Sequence, residues 1–186
     1  MCNNYAQHVP ANALARPFAD DGGLPLLFES GIPNLEPRDE IWISDTAPVV
    51  VVREAGPTLI SAPWAWKGAH GKPVFNFRSE GRNFGGSQRC LIPADGFYEG
   101  TKKTTKWRFA MVGQPWFWIA GIVREGAFTM LTVEPGPDIV PYHGRQVVVL
   151  PPTAGRAWLD LTAAASTLLA PSPAGTLTAT QVWPPI

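Results

Sequence analysis

Short runs of β-branched and aromatic residues, each cut off by glycine or proline before it grows long, constrain this chain more than any other feature. The 186 residues contain 18 glycines and 20 prolines. Together these are about a fifth of the chain, below the roughly 25–30% that marks low complexity. Proline fixes φ and lacks a backbone N–H, so it ends helices and sits at sheet edges and turns. Glycine supplies the turn conformations that other residues resist. A chain punctuated this way has few long helices and many short strands.

The runs between breaks read as strands. Ala47–Arg53 is a β-branched stretch, turned by Glu54–Pro57 into a hairpin partner at Thr58–Ala62. Val74–Arg78 alternates, with Asn76 and Arg78 on one face and Phe75 and Phe77 on the other. Arg89–Pro93 and Phe97–Glu99 flank a turn at Ala94-Asp95-Gly96. Trp107–Met111 alternates, whereas Trp116–Val123 is apolar throughout and is predicted to be buried on both faces. Ala127–Thr132 and Val147–Leu150 complete the set. Short helices are expected near Ala11–Ala19, limited by Pro17, and within residues 153–169. Residues 2–9 read as a polar lead-in able to lie in a cleft, and residues 24–40 as surface connection. The loop Pro63–Gly68, which carries Trp64 and Trp66, reads as exposed. The expected class is α+β, mainly antiparallel β, a barrel-like or sandwich-like domain with a few short helices.

Length suits one domain, residues 1–186, with a core over 2–160 and a loosely held Pro/Ala/Thr-rich tail over 171–186. Lys+Arg and Asp+Glu both number 15, so there is no global pull toward nucleic acid, and any DNA binding needs a local basic groove. Two distant cysteines, Cys2 and Cys90, make neither a disulfide framework nor a zinc pair. A reducing, cytoplasmic setting follows, with no membrane association. A monomer is expected.

Four polar residues lie in or beside apolar strands, where polar groups need a reason. They are Cys2, Asn76, Glu99 and His143. Cys2 follows the initiator Met, and its small side chain favours Met removal. That would leave a free α-amine beside a thiol, with ordinary pKa values of about 7.7–8.0 and 8.5. Such a pair condenses with an aldehyde to a Schiff base and closes a thiazolidine ring on the same carbon. This chemistry needs a carboxylate to move protons, a second acid/base and an amide donor. Histidines 8, 70 and 143 show no zinc-ligand spacing, so no metal and no cofactor are expected. No Gly-x-Ser-x-Gly elbow supports a serine hydrolase. For nucleic acid, Arg78, Arg145, Lys102 and Lys103 could neutralise phosphates, and Trp64 and Trp66 could stack on unpaired bases.

Several motifs run in a familiar order. They are Met1-Cys2-Asn3, Asn76-Phe77-Arg78-Ser79-Glu80, the block from Arg89 to Glu99, and His143-Gly144-Arg145 before Val147–Leu150. In these the chain resembles the SOS-response-associated peptidase (SRAP) family, which shields abasic sites in single-stranded DNA. The resemblance runs from Cys2 to about Asp160. It implies that Cys2 forms a thiazolidine with the abasic-site aldehyde. Asn76 would position the sugar, Glu99 would shuttle protons, and His143 would assist ring opening and reversal. Arg78 and Arg145 would hold phosphates. The partner would be single-stranded DNA containing abasic sites, in DNA damage repair. The sequence departs from the family pattern at Asn4 (commonly Arg), at Gly100 (commonly Trp) and at Gln146-Val147 (commonly Met-Pro). The family's Arg-Trp-Gly loop has its nearest counterpart in residues 61–66. Two alternatives stand beside this reading: a thiol autopeptidase, and a non-catalytic single-strand-binding module.

Overall fold

A computed structural model describes residues 2–20, 22–29, 31–82, 84–101, 104–160 and 164–185. In chain order the first elements are β1 (Asn4–Gln7), α1 (Ala11–Asp20), β2 (Leu27–Phe28), β3 (Arg38–Trp42), β4 (Thr46–Arg53) and β5 (Gly56–Pro63). Next come β6 (Trp66–Lys67), β7 (Pro73–Val74), β8 (Asn76–Arg78), β9 (Gln88–Ala94), β10 (Gly96–Thr101) and β11 (Thr105–Met111). The chain ends with β12 (Phe117–Arg124), β13 (Ala127–Val133), β14 (Gln146–Val147), β15 (Val149–Leu150), α2 (Gly155–Asp160), α3 (Ala165–Leu168) and β16 (Leu177–Trp183).

Two large sheets organise these strands. One has the order β16-β11-β10-β1-β3 and is antiparallel throughout. The other has the order β14-β13-β12-β9-β4-β5-β2, with β15 on β12 and β8 on β13. Its pairings are antiparallel except β8 with β13 and β2 with β5. The class is α+β with mainly antiparallel strands, and the described strands form open sheets rather than a closed barrel.

The larger sheet is covered on both faces. Val49, Val51, Ile92, Phe117 and Ile119 enter one core with Tyr5, Ile41, Phe97 and Phe109 of the smaller sheet. Val50, Leu91, Trp118, Ala120 and Ile122 enter a second core with Leu14 and Phe18 of α1 and Trp158 and Leu159 of α2. Strand alternation sends neighbours into different cores. This accounts for the unbroken apolar character of β12, and for why Val49–Val51 is buried throughout. Gly121 of β12 stands where a Cβ would lie 2.7 Å from the Thr129 carbonyl and 2.9 Å from Cys90 Sγ. The strands there approach too closely for any side chain.

Four sequence expectations need correction. Residues 2–9 are not a lead-in lying in a cleft: β1 is a fully buried strand between β10 and β3. The 24–40 stretch contains β2 and most of β3. The tail is not loose, since β16 pairs along β11 from Lys106 to Met111. The aromatic loop is not exposed: Trp64 is 0% and Trp66 7% accessible. Trp64 stacks on Phe128 at 6.2 Å, meets Tyr5 edge-on at 5.4 Å, and donates its indole N–H to the Phe75 carbonyl at 2.9 Å. The polar edge of the indole is satisfied inside, so burial is favourable. Neither side chain is available to stack on a base. Among the described residues, no helix is long and apolar enough to cross a membrane.

Trp64→Ala is expected to lower unfolding free energy by about 3–5 kcal/mol, measured by urea denaturation. A loss below about 1 kcal/mol would contradict its place in the core.

Candidate active site

Cys2 lies at the head of β1, with its thiol buried and donating to the Asn4 carbonyl at 3.2 Å. Three elements converge on it. Asn76 heads β8, held in parallel register opposite Met130 of β13. Its Nδ2 donates to the Cys2 carbonyl at 2.8 Å, while its Oδ1 is buried without a partner. Glu99 sits on β10, between Trp107 of β11 across the ladder and the β1 side of the sheet. It is 3% exposed, and the nearby Cys2 backbone N–H favours its charged form. His143 sits in the loop before β14, with Nε2 3.9 Å from Glu99 Oε2.

The electrostatics follow from burial. Desolvation raises the pKa of Glu99, and the adjacent His143 works in the opposite direction. Desolvation also pushes the Cys2 thiol far up, and the Glu99 charge adds to this. The thiol is therefore held protonated. The Arg145 backbone N–H lies 3.0 Å from His143 Nδ1. Nδ1 also lies 3.1 Å from the Arg145 carbonyl, so it can accept from the amide or donate to the carbonyl, and Nε2 faces Glu99 in either tautomer. This site can hold a nucleophile, a carboxyl group whose pKa burial raises, and an imidazole nitrogen 3.9 Å from that carboxyl.

The four residues expected to be catalytic, Cys2, Asn76, Glu99 and His143, are thus brought together. The expected DNA contacts fare differently. Arg78, at the end of β8, is exposed and makes no ion pair among the described residues. Arg145 is 7% exposed, and two carboxylates engage it. Glu80 receives both ends of the guanidinium at 2.7 and 2.8 Å, Glu134 lies at 2.6 Å, and the Thr132 carbonyl is bonded at 2.9 Å. Arg145 therefore braces the loop that carries His143, instead of standing as a free cation for phosphate. Lys102 and Lys103 lie outside the described residues. Sequence reasoning missed the bracing pair Glu80 and Glu134. The Glu80 signal was available, because the acid closes the Asn76–Glu80 motif.

Among models of protein families, that of SOS response associated peptidase (SRAP) matches residues 1–186. No curated protein matches the chain. Solved structures with a similar fold include a protein from Bordetella bronchiseptica, at 24% identity and TM-score 0.73, covering 97% of this chain and 99% of that one. A phage-related protein from the same organism is 22% identical with TM-score 0.70, covering 98% and 94%. A protein from Bacteroides thetaiotaomicron is 14% identical with TM-score 0.68, covering 97% and 91%.

The raised pKa of Glu99 makes a stability prediction with a definite sign. Burial favours the protonated carboxyl, so the favourable contribution is complete below the ordinary glutamate range. It is lost as pH rises through the raised value. Glu99→Gln, which stays neutral and keeps an acceptor for the Cys2 N–H, should melt above the parent protein at pH 8. The two should converge at acid pH. A pH-independent difference in thermal denaturation would refute the assignment.

Proposed function

The chain belongs to the SOS response associated peptidase (SRAP) family, and we propose that it traps abasic sites in single-stranded DNA as a covalent thiazolidine on Cys2. One arrangement carries this reading: Asn76 holds the Cys2 carbonyl at 2.8 Å, His143 Nε2 lies 3.9 Å from the Glu99 carboxylate, and the Cys2 backbone nitrogen bears on that carboxylate. Removal of Met1 would turn that nitrogen into an α-amine whose proton partner is already in place.

The steps balance with release of one water. His143 assists transfer of the hemiacetal proton to the deoxyribose ring oxygen, opening the sugar to its aldehyde. The Cys2 amine adds to the aldehyde carbon, and Glu99 takes the proton released. Protonated Glu99 returns it to the alkoxide, giving the carbinolamine hydroxyl; the second N–H proton follows by the same route, and the hydroxyl leaves as water to give the imine. The thiol then adds to the imine carbon, its proton passing through Glu99 to the nitrogen, and the five-membered ring closes. A general acid/base works best with a pKa near the operating pH, the direction in which burial moves Glu99. The buried thiol stays protonated, which protects it from oxidation until the imine forms. Asn76 holds the Cys2 carbonyl, and its unpartnered Oδ1 suits a sugar hydroxyl. Arg78 would meet a phosphate beside the lesion. The setting is DNA damage repair, and the protein acts as a self-crosslinking enzyme.

Protein shown by mass to begin at Cys2 is expected to shift an oligonucleotide containing one abasic site on a denaturing gel, without borohydride. Cys2→Ala should abolish the band. Glu99→Gln and His143→Ala should slow its formation by about 10²–10⁴-fold under the same conditions. Absence of the band from correctly processed protein refutes the proposal. Retained non-covalent affinity in Cys2→Ala with no parent crosslink would favour a binding module.

A further inference from the structure

Eight tryptophans occur in the chain. Five (64, 66, 116, 118 and 158) are buried and Trp107 is half-buried, whereas Trp42 is 44% and Trp183 62% exposed. The two exposed indoles line a single cleft of about 230 Å³ with Tyr98 and Lys106. Strand register puts them there. Trp42 of β3 pairs with Asn4 of β1, and Trp183 of β16 pairs with Lys106 of β11. Their rows cross the face of the five-stranded sheet turned away from the core that holds Tyr5, Phe97 and Phe109. Asn3, next to Cys2 in sequence, and Glu99 also line the cleft.

The chemistry of the cleft narrows its occupant. Lys106 Nζ lies 4.4 Å from the Tyr98 ring centre and 5.2 Å from that of Trp42, and it is ion-paired with Glu40. A cation-binding cage of aromatics and a carboxylate is therefore already filled by the chain's own ammonium. That disfavours a cationic ligand such as a basic peptide. The exposed indole surface of Trp42 and Trp183 leaves room for a neutral π-surface, and the ammonium has further donors for an acceptor. A nucleobase with its phosphate has both features. We infer that Trp42 and Trp183 are a base-stacking platform for single-stranded DNA flanking the lesion. Trp42 and Trp183 would do what the buried Trp64 and Trp66 cannot. This rests on the crosslinking reading for its place in function, though not for its test.

The test uses full-length Cys2→Ala protein and a short fluorescein-labelled single-stranded oligonucleotide with no abasic site, followed by anisotropy. Stacking predicts that adding Trp42→Ala and Trp183→Ala together weakens binding by at least about tenfold. The slope of log affinity against log salt should stay unchanged, because no phosphate contact is lost. Trp42→Phe with Trp183→Phe should restore most of the affinity, which separates stacking from misfolding. A smaller loss in the alanine pair, a shallower salt slope, no rescue by phenylalanine, or no binding by the parent would each overturn the inference. If the platform binds while the processed protein fails to crosslink, only the proposed reaction falls.

Discussion

Everything at the site depends on β1 being held between two neighbours. Chain termini are poorly ordered unless a sheet or a docked element ties them down. Here the first described residues enter an interior position of a five-stranded sheet, with Tyr5 opposite Phe97 on one side and Ile41 on the other. The ladder fixes the direction of the backbone at Cys2, and Asn76 fixes its carbonyl from a strand of the other sheet. Cys2 is thereby as well placed as a residue in a strand interior. The cost is a row of buried polar groups: Asn4 and Gln7 are each 1% exposed. Gln7 is satisfied through the Val9 carbonyl and Asn4 through Glu40, although Asn4 Oδ1 keeps no partner.

A second layer of support surrounds His143. The loop from Gly136 to Arg145 turns back on itself through Ile139 N–H to the Gly136 carbonyl and His143 N–H to the Ile139 carbonyl. Tyr142 inserts its ring against Trp107 at 4.7 Å and Phe109 at 5.2 Å. Arg145 then fastens the end of the loop to Glu80 and Glu134. A bidentate guanidinium–carboxylate pair fixes geometry as well as contributing energy. The loop fixes the position of His143, and the charges that brace it are paired with one another.

The strands with strong β-branched or aromatic runs were legible from sequence: β4, β5, β9, β12 and β13 fall where alternation and turn residues place them. What escaped was short and polar. β1 reads Asn-Tyr-Ala-Gln and β3 reads Arg-Asp-Glu-Ile-Trp. Their strand character comes from partners, which local propensity does not encode. β16, Leu-Thr-Ala-Thr-Gln-Val-Trp, alternates clearly, but the surrounding prolines and alanines mask it. The candidate catalytic set was legible as polar residues beside apolar strands, because burying them demands a purpose. The aromatic contacts were not. A tryptophan's sequence neighbours in Pro63–Gly68 resemble those of an exposed loop, and only the isolated bridge from Trp64 to Phe128 draws it inward.

The order β16-β11-β10-β1-β3 carries a consequence for how the molecule forms. Its strands come from the first 42 residues, from the middle, and from the last ten. The hairpin β10–β11 can close locally, but both flanks require ends of the chain to meet it, and contacts of long sequence separation form slowly. During synthesis β16 emerges after every other strand of this sheet, so the edge of β11 stays open until it does. Completion of the smaller sheet thus waits on β16. A truncated product would hold most of the larger sheet without the finished smaller one.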